Sequence, residues 1–322
     1  VGKLGERAVV PELVKLLSNE QIDSNVRSRI ANAVGKLGER IVTLELVELL
    51  SNEQLDSNVR SRIADAVGKL GERTVAPELV RLLSNKRIDS NVRSRIANAV
   101  GKLGERTVAP ELVRLLSNKQ LDFLMHSRIA DVVGKLGERA VVPDLVKLLG
   151  NKRIDDNIRS RIADAIGALG ERAVAPELVK LLSNEQIDIN VRGRIANAVG
   201  ALGERAVAPE LVKLLSNEQI DINVRGRIAN TVGVLGERAV VPELVKLLSN
   251  EQLDSSMRGS IANGLTLLMD DEVIIHLLTA LLLDSDIANS IHRTLWTVSR
   301  RCHVRIFLND KAGEKQLEVV KW

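Results

Sequence analysis

The chain has almost no aromatic side chains: in 322 residues there are two Phe, two Trp and no Tyr. Its core must then be aliphatic, and stacking platforms for nucleic-acid bases, each of which needs a flat π-face, are scarce. The single cysteine, Cys302, excludes an internal disulfide framework and fits a reducing compartment such as the cytoplasm. Four His and that one Cys fall at no zinc spacing. The phosphate loop G-x-x-x-x-G-K-[ST] is missing, since G-K-L-G-E-R lacks its spacing. D-S-N-V-R lacks the central Gly and bidentate Glu of a calcium loop. Charge of one sign is also lacking. Lys and Arg number 46 against 42 Asp and Glu, and the net +4 does not by itself point to a polyanion. No signal segment is expected from the first residues. The most apolar run, Val273 to Leu283, is short and contains His276, so it suits a buried helix better than a membrane span. The chain begins without Met and in mid-repeat, and is read as a fragment of something longer.

What the sequence has in abundance is repetition. V-G-K-L-G opens the chain at Val1 and returns at Val34, Val67, Val100 and Val133, then in variant form at Ile166, Val199 and Val232. Each recurrence comes 33 residues after the last, with no insertion. A unit this short cannot bury its apolar face alone and must stack on its neighbours. Within a unit, Gly38 and its equivalents follow the last apolar residue of a helix, where a left-handed cap is wanted. The segment Glu72 to Leu83 then reads as a first helix, with Val75, Leu79, Val80, Leu82 and Leu83 at helical spacing. All seven prolines share one position in its N-terminal half, and repeat two has Leu44 there. After a polar loop, an Asp recurs at 23, 56, 89, 122, 155, 188, 221 and 254, where it reads as an N-cap. The second helix follows, Ser90 to Leu103 for example, with a core of Val92, Ile96, Ala99, Val100 and Leu103. The glycine inside it (Gly101) costs roughly 1 kcal/mol against Ala, and its recurrence points to close helix–helix approach.

The pattern D-x-x-V-R-x-x-I-A-x-A-V-G-x-L-G followed by E-R-A-V-x-P-E-L-V-x-L-L resembles HEAT-like repeats of the short bacterial type also seen in phycobilin lyase subunits. The resemblance covers residues 1–269 as eight near-identical repeats and implies an all-α α-solenoid. Residues 270–303 are expected to form a divergent capping repeat, with helices over Asp270–Leu283 and Asp286–Cys302. Residues 304–322 are expected to form a β-hairpin, with strands Val304–Leu308 and Gln316–Val320 around Gly313. L-W-T-V-S-R-R, Leu295 to Arg301, resembles the C-termini of cyanobacterial NACHT-type NTPases that carry HEAT arrays. The family also implies a structural Asp–Arg ladder between successive repeats. Here its pairs would be Asp23 with Arg27, Asp56 with Arg60, Asp89 with Arg93, Asp155 with Arg159, Asp188 with Arg192, Asp221 with Arg225 and Asp254 with Arg258. His126 stands where the fourth repeat would have its Arg.

The resemblance further implies that the second helices line a concave face. One row on that face would be Arg29, Arg62, Arg95, Arg128, Arg161, Arg194 and Arg227, beside a row of Asn and Asp from Asn32 to Asn230. A third row, Lys36 to Lys135, turns into Ala168, Ala201 and Val234. With helix layers about 10 Å apart, seven repeats would give a groove on the order of 70 Å long. Two readings stay open. The Arg row binds an acidic or extended partner through planar, bidentate contacts, or it is a solvated face paired to its own Asp and Asn. Phe123 and Leu124 replace the usual Ser and Asn, and Ile189 and Ile222 take the Ser position later. They form either an apolar interface patch or local packing. Lys86, Arg87, Lys119, Lys152 and Arg153 make the middle loops basic. His292, Cys302 and His303 lie close in sequence, yet nothing in the sequence orients a Cys–His nucleophile. The expected function is a non-enzymatic scaffold or sensor that binds another protein, without cofactor, metal or membrane. A nucleic-acid-binding solenoid using the Arg row stands second, and a phycobilin lyase-like or chaperone subunit carrying a tetrapyrrole third.

Overall fold

The computed structural model describes residues 7–248, 250, 252–268, 304–311 and 314–321. The expected capping repeat, residues 270–303, lies outside them, and so do His292, Cys302 and His303. Among the described residues sixteen α-helices alternate short and long. In chain order they are α1 (Val10–Leu17), α2 (Ser24–Leu37), α3 (Thr43–Leu50), α4 (Ser57–Leu70), α5 (Ala76–Leu83), α6 (Ser90–Leu103), α7 (Ala109–Leu115) and α8 (Phe123–Leu136). They continue as α9 (Val142–Leu149), α10 (Asp156–Leu169), α11 (Ala175–Leu182), α12 (Ile189–Leu202), α13 (Ala208–Leu215), α14 (Ile222–Leu235), α15 (Val241–Leu248) and α16 (Ser255–Leu268). Each odd-numbered helix packs on the even-numbered helix that follows it. The chain divides into two compact units, Val1–Leu169 and Gly170–Trp322. In the first unit α2, α4, α6, α8 and α10 pack in succession, and in the second α12, α14 and α16 do so. The fold is the expected α-solenoid.

The ends of the helices explain the conserved spacing. Asp89 accepts a hydrogen bond from the Asn91 amide at 2.8 Å and opens α6, and Asp23, Asp56, Asp188 and Asp221 do the same for their helices. That satisfies one of the four amides a helix start leaves free. At the other end Gly38 takes φ 74° and Gly71 φ 71°, the left-handed conformation that an L side chain resists. The segment expected as one helix from Glu72 to Leu83 is divided: a 3-10 turn, Arg73–Val75, precedes α5. Proline is not the cause, since the second repeat has the same turn, Arg40–Val42, with Leu44 in place of proline. Glu72 caps its turn by accepting from the Thr74 amide and hydroxyl. Those two bonds, the hydroxyl first, hold its carboxyl below the ordinary value, and Thr107 does the same to Glu105.

The core is aliphatic throughout, as Val59, Ile63, Ala64 and Val67 of α4 illustrate; all four are fully buried. The glycine inside α2 and that inside α4 sit where two second helices meet. A Cβ on Gly35 would stand 2.9 Å from Ala66 Cα, and one on Gly68 would stand 3.0 Å from Ala99 Cα. In the fourth repeat Val132 replaces that Ala, and a Cβ on Gly101 would meet only a Val132 methyl at 3.4 Å. The Arg of two G-E-R turns has a structural task as well. Arg40 Nε donates to Leu70 O at 3.0 Å, and Arg139 Nε to Leu169 O at 3.1 Å. Each thereby caps the long helix of its own repeat. At the C-terminus, β1 (Val304–Lys311) and β2 (Glu314–Lys321) pair antiparallel from Val304↔Lys321 to Lys311↔Glu314. Both strands run further toward the turn than expected.

Candidate functional site

The seven Asp–Arg pairs named for a ladder between successive repeats do not form among the described residues. Each Asp is turned to the amides of its own helix start, and each Arg four residues on is buried between helices. Arg93, Arg159 and Arg225 donate to the last carbonyl of the short helix ten residues earlier, Leu83 O, Leu149 O and Leu215 O, at 3.4–3.5 Å. A cation there faces the negative end of a helix dipole. One of these buried Arg reaches the capping Asp of the next repeat: Arg93 Nη2 lies 3.5 Å from Asp122 Oδ2. Arg159 also pairs with Asp156. Arg27, Arg60, Arg192 and Arg258 are buried at the same position.

Of the Arg row, Arg29, Arg62, Arg95 and Arg161 are exposed and Arg128 is half-buried in the first unit; Arg194 and Arg227 are exposed in the second. In the first unit the row borders a groove of about 730 Å³ built solely from the second helices α2, α4, α6 and α8. Its floor is polar: Ser28, Asn58, Ser61, Asn91, Ser94 and Asn98 lie among Arg62, Arg95 and Arg128, and Leu124 closes one end. Asp65 is the one carboxylate among the lining residues. It lies 3.9 Å from Arg62 and 3.7 Å from Arg95, so one carboxylate is shared by two guanidinium groups and the lining keeps an excess of positive charge. The second unit treats its Arg differently. Ser at this helix position becomes Gly193, and Arg227 lies across it, with Cδ and Nε 2.8 Å from where a Cβ would stand. The Ser-to-Gly change at 193, 226 and 259 was the signal in the sequence for that difference.

Phe123 and Leu124 are both about half exposed, at 51% and 50%. They stand on opposite margins of α8: Leu124 ends the polar groove, and Phe123 walls a separate cavity of about 380 Å³. In the second unit Ile222 is exposed and Ile189 half-buried. The fourth repeat also departs at its cap, where Asp122 accepts from the Met125 amide one residue later than its counterparts do. His126 is buried with both ring nitrogens on carbonyl oxygens, Nδ1 at 3.0 Å from Asp122 O and Nε2 at 3.1 Å from Asn118 O. Among the described residues no group of three or more His, Cys, Asp or Glu is placed to hold a metal. No helix there is long and apolar enough to cross a membrane.

The family described as HEAT repeats matches residues 43–127 and 152–223. No curated protein matches the chain. Among solved structures, human deoxyhypusine hydroxylase in complex with glycerol is 17% identical, with 80% of this chain and 95% of that one covered and a TM-score of 0.36. The matched residues thus carry HEAT repeats, and the 33-residue helix pairs around them build an α-solenoid.

Proposed function

We propose that the chain is a non-enzymatic binding scaffold, and that the groove of its first unit takes an extended acidic segment of another protein. The observation that carries the reading is the groove's make-up: three guanidinium groups and one shared carboxylate over a floor of Ser and Asn. Arg supplies planar, bidentate contacts to carboxylates, and the hydroxyl and amide groups can hydrogen-bond a peptide backbone. A single-stranded nucleic acid would want aromatic faces for its bases, and the groove has none among its lining residues. The single cysteine suits such a scaffold to the cytoplasm. The finer resemblances, to phycobilin lyase subunits and to NACHT-type arrays, would make the chain a subunit or the sensor part of a larger protein.

The test is fluorescence anisotropy with a labelled glutamate-rich peptide, a neutral peptide of equal length and a single-stranded oligonucleotide, at low and moderate salt. The expected result is binding of the acidic peptide alone, weakened about tenfold or more in Arg95→Glu, whose helical circular dichroism stays that of the parent. That factor is about the value of one charge-assisted hydrogen bond. Preference for the oligonucleotide, with a steep salt dependence, would replace this reading with the nucleic-acid one.

A further inference from the structure

The cavity beside α8 exists because one side chain is missing. In the third repeat Arg93 reaches Leu83 O and Asp122 of the next repeat. One period later those three positions are His126, Leu116 and Asp155. His126 is shorter, and both its nitrogens are engaged at Asn118 O and Asp122 O. The bond that Leu83 O receives has no counterpart at Leu116 O among the described residues, and the carboxylate of Asp155 has no guanidinium from the fourth repeat beside it. Leu116 and Asp155 both line the cavity. The core is uncovered there too. Ile158 is 8% exposed, against 0% at Met125 one period earlier, while Ile154 at 8% is close to Leu121 at 7%.

We infer that this cavity is a binding slot for an arginine side chain of a protein partner, with a carboxylate next to that arginine. The guanidinium would occupy the place the chain's own Arg takes in the third repeat, donating to Leu116 O and Asp155. Its methylene stem would lie on Ile154 and Ile158, and the exposed ring of Phe123 would offer a π-face to the cation. Lys119 and Arg153, both exposed on the rim, would repel a lone cation; the neighbouring carboxylate answers them. A volume of about 380 Å³ is at the small end of ligand sites and suits one or two residues. The slot opens on the other margin of α8 from the polar groove, so it stands or falls independently of that groove.

The probe is N-acetyl-arginine, which carries both a guanidinium and a carboxylate, titrated into the full chain by isothermal calorimetry. N-acetyl-argininamide and N-acetyl-leucine serve as comparisons. N-acetyl-arginine should bind best, with N-acetyl-argininamide weaker and N-acetyl-leucine weaker still. His126→Arg, which fills the slot from within, should weaken binding about tenfold or more, as should Asp155→Asn, which keeps a capping side chain. Phe123→Ser restores the residue that Ser90 represents in the third repeat, so it should fold while also binding less well. Equal binding by His126→Arg and the parent, a preference for N-acetyl-leucine, or no heat from N-acetyl-arginine at millimolar concentration would each overturn the proposal.

Discussion

Individual side chains in this protein take tasks that their types alone would not announce. Asp89 was legible in the sequence as a cap because it precedes an apolar helical pattern. Asp89→Ala should lower stability by about 1 kcal/mol through loss of that cap, measured by urea unfolding, and an unchanged midpoint would remove the capping role. The Arg four residues on was not legible. Its partner is a carbonyl ten residues back, and the sequence cannot show where a long side chain turns once its neighbour's carboxylate is engaged elsewhere. Glu72 and Glu105 give a second test at this scale. The Thr74 hydroxyl and amide favour the charged form of Glu72, so its carboxyl titrates below the ordinary 4.5 and the folded state binds that proton less tightly than the unfolded state does. The resulting stabilisation is complete above the ordinary value and is lost as pH falls through the lowered one. In Thr74→Ala the carboxyl resonance of Glu72, followed by NMR, should titrate closer to the ordinary value.

Between elements, the same sequence position carries opposite consequences in different repeats. Gly35 and Gly134 stand at the same place in α2 and α8. An added Cβ at Gly35 would meet Ala66 Cα at 2.9 Å, whereas at Gly134 the nearest atoms are Ala165 Cα and Ala168 Cβ at 3.5 Å. Gly35→Ala should therefore destabilise by about 1–3 kcal/mol through overpacking, beyond what helix propensity returns. Gly134→Ala should stabilise by about 0.5–1 kcal/mol. Thermal unfolding of the two variants decides, and shifts of equal sign would mean that the helices adjust their spacing freely. The sequence did announce close packing through its recurring glycines. It did not announce where that packing loosens, because a register kept to 33 residues conceals small changes of spacing. Val132 in place of Ala was the visible trace of one such change. The 3-10 turn was hidden for a related reason: the spacing of Val75, Leu79 and Val80 is the same whether the first turn is wound as 3-10 or α.

At the scale of the whole molecule the period itself is the design. The match to HEAT repeats and the helix order agree with what the sequence alone implied, whereas the division into units at Leu169 and Gly170 left no mark in the 33-residue spacing. Deleting residues 71–103 removes one full period and joins Leu70 to Gly104. The shortened chain should keep its helical content per residue and melt cooperatively at a lower temperature; loss of helicity would mean that the repeats are not interchangeable. The groove was legible as rows of Arg and Asn, but the sharing of Asp65 by two of them was not, since only the fold sets which carboxylate a guanidinium reaches. The packing of each long helix on the short one before it and on the long helix one period away, described within each unit, also bears on how the chain reaches its native state. Partners separated by no more than about one period give a relative contact order on the order of 0.1, the regime of domains that fold in microseconds to milliseconds. A nascent chain could thus lay down each repeat on the one before it, with no segment waiting for a distant partner still to be synthesised.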